Sequence, residues 1–158
     1  MSALPDLRPD PRPPVRKRVT VPLPPRDAFD LFTRGIARWW PDSHTASGGR
    51  GGRPADLTVE PREGGRIVET TPEGRRVTWA TITRWEEGRR LEADWHLGED
   101  GPTELTVTFS DDGAGGTRVD LVHGGWPPGE SASARRETYD ADWTLVLGRL
   151  ALALPVTA

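Results

Sequence analysis

The sequence predicts an α+β domain in which a curved antiparallel sheet of about seven strands, accompanied by two short helices, grips a long C-terminal helix. Three observations predict it. A segment near the N-terminus alternates apolar and polar residues as a half-buried strand does. A series of short alternating segments separated by turn residues fills residues 56–122. A last stretch, from about residue 131 to residue 154, carries apolar residues at helical spacing. The sheet must bury one face, and that last helix is the only element long enough to cover it.

Residues 1–14 hold five prolines (Pro5, Pro9, Pro11, Pro13, Pro14) among charges and are expected to form a disordered Pro-rich tail, leaving 15–158 as a single domain. Val15, Val19 and Val21 alternate with Arg16, Arg18 and Thr20, the period of a first strand. Pro24 and Pro25 end it and open a helix over 26–33, with Ala28, Leu31 and Phe32 on one face. Gly35 stops that helix, a shorter one spans Ile36 to Trp40, and a Gly-rich loop runs from Asp42 to about Pro54.

Strands are expected over 56–60, 65–70, 75–84, 90–96, 103–110 and 117–122, joined by turns such as Pro-Glu-Gly and Asp-Asp-Gly-Ala-Gly-Gly, which makes a meander. Beyond Pro127 and Pro128, Tyr139, Trp143, Val146, Leu147, Leu150 and Leu154 form the core stripe of one long helix. A second stripe, Ala141, Leu145, Gly148 and Leu152, lies away from it and either packs on edge strands, stays partly exposed, or forms a homodimer interface.

At 158 residues the chain suits one core, and seven Trp, three Phe and one Tyr concentrate its apolar surface in few positions. It has no cysteine, which excludes disulfides, thiolate metal sites and a cysteine nucleophile. A formal charge of −3 gives no global reason to expect nucleic acid as a partner. No signal-peptide pattern and no membrane-length apolar window are present, so a cytoplasmic protein without a membrane partner is expected. Lys17 is the one lysine, and the Arg, Gly, Pro and Ala bias resembles a GC-rich coding preference, so an individual surface Arg carries little functional weight.

The order of elements and several motifs resemble the helix-grip domains of the SRPBCC (START-like, Bet v 1-like) superfamily, in its activator of Hsp90 ATPase homologue (AHSA-type) branch. The matching pieces are Ile36-Ala-Arg-Trp-Trp-Pro41, Gly64-Gly-Arg66, Val77 to Trp85, Arg89-Arg-Leu91 with Trp95, Gly116 to Val119, Leu121-Val-His-Gly-Gly-Trp126 and Tyr139-Asp-Ala-Asp-Trp143. The resemblance covers about 19–154 and departs at Ala80 and Asp142, where the family commonly has glycine. It implies a cavity between sheet and helix that takes lipids, hormones, polyketides or other hydrophobic molecules.

The expected ligand-binding residues are Trp39, Trp40, Trp95, His123, Trp126, Tyr139 and Trp143, around a small hydrophobic or amphipathic molecule. Strand parity turns His96 outward beside Glu92 and Asp94, places His44 in the loop after the Trp pair, and points His123 inward with Val119 and Leu121. The three histidines are therefore not expected to converge on a metal. His123 either orients a polar group of the ligand or is satisfied within the core by a backbone carbonyl near Trp126. No catalytic residue and no cofactor is assigned, because neither a nucleophile beside a base nor a cofactor fingerprint can be read. The alternatives to ligand binding are a cyclase, dehydratase or hydrolase acting on a polyketide-like substrate through His123 or Tyr139, and a regulator of a chaperone ATPase.

Overall fold

The alternation that starts at Val15 becomes strand β1, Val15–Val21, in the computed structural model, which describes residues 13–48, 52–97 and 102–153. Helices α1 (Pro25–Phe32) and α2 (Ile36–Trp39) follow, then a single 3₁₀ turn, Asp42–His44, that the sequence pattern does not announce. Strands β2 (Asp56–Val59), β3 (Arg66–Thr70), β4 (Arg76–Glu86), β5 (Arg90–Trp95), β6 (Thr103–Asp111) and β7 (Thr117–Gly124) lead to helix α3, Glu130–Leu152. Most of the sequence-derived boundaries fall within two residues of these.

All seven strands form one antiparallel sheet in the order β1-β7-β6-β5-β4-β3-β2. The meander from β2 to β7 is closed on its last strand by β1, with Val19 opposite Val119. Such a sheet curls under its own twist, and bulges sharpen the bend. Register shifts occur between Ile67 and Val68 and between Ile82 and Arg84. At the first of these, Ile67 pairs with Ala80 and Val68 with Thr78, so Trp79 is the additional residue and both Trp79 and Ala80 end up buried.

Parity holds away from the bulges. Leu91, Ala93 and Trp95 on β5, and Val119, Leu121 and His123 on β7, are buried as alternation requires. Lys17 shares the concave face with the valines of β1 and reaches α3, where its ammonium lies 3.1 Å from Asp140. On α3 the expected stripe is buried at Trp143, Val146, Leu147 and Leu150, Tyr139 is half-buried, and Leu154 lies outside the described residues. Leu145 and Leu152 of the second stripe are 49% and 79% exposed.

Residues 1–12 of the expected tail lie outside the described residues, but its last two positions are held. Arg136 of α3 donates hydrogen bonds to the carbonyls of Pro13 and Pro14 at 2.7 and 3.3 Å. No helix among the described residues is long and apolar enough to cross a membrane.

Candidate functional site

Trp39 at the end of α2 and Trp40 just after it touch each other at 5.4 Å and face different neighbours. Trp39 packs on Phe32 (5.2 Å between ring centroids) and donates its indole N–H to the Leu31 carbonyl at 3.0 Å. Trp40, held by a 3.0 Å bond to the His44 carbonyl, turns beneath α3 and meets Trp79 at 5.0 Å, Trp143 at 5.6 Å and Trp95 at 6.4 Å. From Trp95 the rings continue through His123 (6.0 Å) to Trp126 (4.6 Å from His123) and Tyr139 (4.9 Å from His123). The seven residues singled out in the sequence thus form one contiguous cluster, which Trp79 joins as an eighth ring. Edge-to-face and tilted pairs predominate, the arrangement that ring quadrupoles favour.

Within this cluster the polar atoms are matched to one another. The Trp143 indole N–H donates to His123 Nδ1 at 3.0 Å, which makes Nδ1 the acceptor and puts the imidazole proton on Nε2. Nε2–H then donates to Thr103 Oγ1 at 2.6 Å. Burial, reinforced by the positive charge of Arg135, pushes the His123 pKa down to about 3. Neither ring nitrogen bonds a backbone carbonyl; the carbonyl relation runs the other way, with Trp126 donating to the carbonyl of His123 at 2.8 Å. Tyr139 donates to the Leu97 carbonyl at 2.6 Å and accepts the Trp95 indole N–H at 3.0 Å, while burial raises its pKa. His123 is therefore a neutral ring at pH 7, and it offers its basic Nδ1 to another molecule only when Trp143 withdraws.

A buried carboxylate, Glu69, was not singled out in the sequence. It shares a face of β3 with Ile67 and is fully buried. Four donors surround it: the backbone N–H groups of Ala46 and Ser47 (each 2.8 Å), the Ser47 hydroxyl (2.5 Å) and the Trp79 indole (3.0 Å). Burial pushes its pKa up, yet these hydrogen bonds outweigh that push and hold it below the usual carboxylate range. Glu69 so ties the aromatic cluster, through Trp79, to the start of the Gly-rich loop. The loop turns tightly there, because a Cβ on Gly48 would lie 1.8 Å from the Asp42 carbonyl oxygen. Gly49, Arg50 and Gly51 lie outside the described residues.

Outside the cluster, between α2, β2 and the last turn of α3, lies an open cleft of about 350 Å³. Trp40, Leu57, Pro54, Arg38, Arg53 and Arg149 are among its walls, and Trp40 is the one member of the seven predicted residues that lines it.

The family description "Activator of Hsp90 ATPase homolog 1-like protein" matches residues 22–154. The chain belongs to this family. Members of this Hsp90-activator-homologue family and its SRPBCC relatives among solved structures share the helix-grip fold. An anthrahydroquino-gamma-pyrone synthase, Txn09, solved in complex with SUM, is 28% identical with a TM-score of 0.59, over 91% of this chain and 98% of that one. The self-sacrificing resistance protein CalC from Micromonospora echinospora is 28% identical with a TM-score of 0.65, over 88% of this chain and 92% of that one. The Aha1 dimer from Colwellia psychrerythraea is 16% identical with a TM-score of 0.66, over 90% and 96% of the two chains, which shows the fold alone. No curated protein matches the chain.

Asp142, one of the two positions at which the sequence departs from the resemblance, has a partner here. His44 Nε2 lies 3.2 Å from Asp142 Oδ1 and its Nδ1 lies 2.8 Å from the Ser43 hydroxyl, so the 3₁₀ turn is latched onto α3. A Ser-His-Asp chain of this kind invites a nucleophilic reading, but neither Ser43 nor His44 is among the walls of the cleft. His96 is exposed and bonds the Thr81 hydroxyl at 2.9 Å. Among the described residues no group of three or more His, Asp or Glu side chains is placed to hold a metal ion.

Proposed function

We propose that this chain binds a small hydrophobic or amphipathic molecule between its sheet and α3, with Trp40 as the point of entry. The observation that carries this reading is the double position of Trp40. The ring packs against Trp79, Trp95 and Trp143, and the residue also lines the open cleft. A cleft of about 350 Å³ falls in the size range of small-molecule sites, and the one flat ring in its wall, Trp40, suits a flat ligand. The 28% identity to a protein described as a pyrone synthase supports a polycyclic, polyketide-like ligand.

Titration with 1,8-dihydroxyanthraquinone, followed by quenching of tryptophan emission, tests this. Saturable quenching is expected, with affinity about tenfold weaker for Trp40→Ala, the size of one lost stacking contact. Absence of saturation, or equal affinity in the variant, overturns the reading.

The same likeness to a synthase favours a second reading, catalysis of a cyclisation, dehydration or hydrolysis in which His123 or Tyr139 moves a proton. It requires His123 to exchange its Trp143 bond, or Tyr139 its Leu97 bond, for one to substrate. Turnover of a polyketide-like substrate that disappears in both His123→Phe and Tyr139→Phe would favour it over simple binding. Turnover unchanged in both would exclude these residues.

A further inference from the structure

We propose that Arg38 and Arg149 clamp the acid group of the bound molecule, so that the ligand is an amphipathic anion: one carboxylate or sulfonate on a rigid apolar body. This rests on the ligand-binding reading above and adds the chemical class of the ligand.

Much of the surface is paired. Arg18 lies 2.6 Å from Asp120, Arg34 and Arg84 each 2.7 Å from Glu87 and Glu86, and Arg90 2.8 Å from Glu92. Arg38 and Arg149 have no side-chain partner among the described residues. Other arginines, Arg75 and Arg89 among them, share that property, so lack of a partner is not the argument by itself. What sets these two apart is position. Besides the 350 Å³ cleft, they line a second one of about 230 Å³ whose other walls are Trp39, Leu152 and Ala153, and they are the two residues common to both. Two guanidinium groups without a side-chain partner among the described residues therefore stand at the junction of two hollows.

Within the two hollows the arginines outnumber the acids, while a third cleft that Arg38 borders carries Asp27 and Asp30. In the larger cleft Arg53 pairs with Asp42 at 3.3 Å, and Asp56 is the remaining acid against Arg38 and Arg149. A cation in the last turn of a long helix answers the partial negative charge of its carbonyls, and Arg149 on α3 has that use. Arg38 does not, because α2 is a single turn. Guanidinium forks recognise carboxylate and sulfonate oxygens in pairs, and two forks facing one anion offer more donors than one acid needs. Apolar side chains border both hollows, Trp40 and Leu57 in one and Trp39 and Leu152 in the other, with Leu152 the exposed one. Leu152 is the most exposed large apolar side chain described, at 79%, and a ligand body over it would bring that surface out of water.

Two dyes with the same ring system separate charge from apolar contact. 8-Anilino-1-naphthalenesulfonate carries an acid group, and N-phenyl-1-naphthylamine is the same molecule without it. At low salt the wild-type protein should bind the sulfonate about tenfold more tightly. In Arg38→Gln/Arg149→Gln that preference should fall to within about twofold while the affinity for the neutral dye holds, and rising salt should erode the wild-type preference in the same direction. Equal wild-type affinities, or a sulfonate preference that survives the double substitution, would overturn the clamp and leave the ligand-binding reading standing. Failure of both dyes to bind would overturn the two together.

Discussion

Glu69 and His123 are the two buried titratable side chains that the aromatic cluster touches, and they have been solved in opposite ways. Glu69 sits at the β3 side with four donors aimed at its two oxygens, and its carboxylate stays charged. His123 sits on β7 with one donor and one acceptor, and its ring stays neutral. Both are fully withdrawn from solvent. Burial alone therefore does not decide the protonation state; the number and polarity of the fixed partners do.

The largest effect is expected from breaking the charged half of this pair. Glu69→Gln keeps the volume but sets an amide NH₂ against donors, and should cost about 3 kcal/mol in urea unfolding at pH 7, since a buried donor left unpaired costs about 1–3 kcal/mol. A loss below about 1 kcal/mol would mean that the four donors find other partners.

His123→Phe should come next, at about 2 kcal/mol at neutral pH, because it strands the Trp143 indole and the Thr103 hydroxyl. Its signature is pH dependence. The folded-state pKa of His123 is depressed, so the unfolded chain takes up the proton first and wild-type stability falls as pH drops below 6.5, by up to about 1.4 kcal/mol per unit down to about pH 3. Glu69 contributes nothing to that slope until pH falls below about 4.5, where its depressed pKa adds a second loss. Between pH 6.5 and 4.5 the variant should therefore show a shallower curve than wild type, and the two should converge. Parallel curves would refute the assignment of a neutral, buried His123.

Smaller single-bond deletions sharpen the contrast. Ser47→Ala removes one hydrogen bond to a charge and should cost about 1.5–2 kcal/mol, whereas Thr103→Val removes one between neutral groups and should cost about 1 kcal/mol. Reversal of that order, read from denaturation midpoints at pH 7, would show that the carboxylate is less dependent on its donors than its surroundings suggest.

Strand alternation points to His123 and passes over Glu69 for a physical reason. β7 is regular, so alternation carried inward from Val119 and Leu121 lands on His123. β3 and β4 hold a bulge, which puts Ile67, Val68 and Glu69 in succession into buried surroundings and leaves Trp79 outside any simple period-two pattern. The parity of Ile67 with Glu69 was the one available signal, and only the neighbouring loop, folded back to supply Ala46 and Ser47, makes that position tolerable for an acid. Element order, the span of β1 and the buried stripe of α3 follow from local spacing, which is why they were legible. The cleft at Trp40 was not, because its walls come from α2, β2 and the end of α3, and rotamers decide whether a Trp fills such a space or borders it.

The pairing of β1 with β7 has a consequence for how the chain is made. The Arg18–Asp120 pair spans a sequence separation of 102 residues, and β1 has no other strand to lie against. During synthesis β1 leaves the ribosome with its backbone groups unmatched and waits while the whole meander emerges. The edge that will accept it is the last one built. Closing so long a loop is slow compared with forming the hairpins in between. The three successive basic residues of β1, Arg16, Lys17 and Arg18, are then a safeguard, since like charges along a waiting strand discourage it from pairing with the same strand of a neighbouring nascent chain.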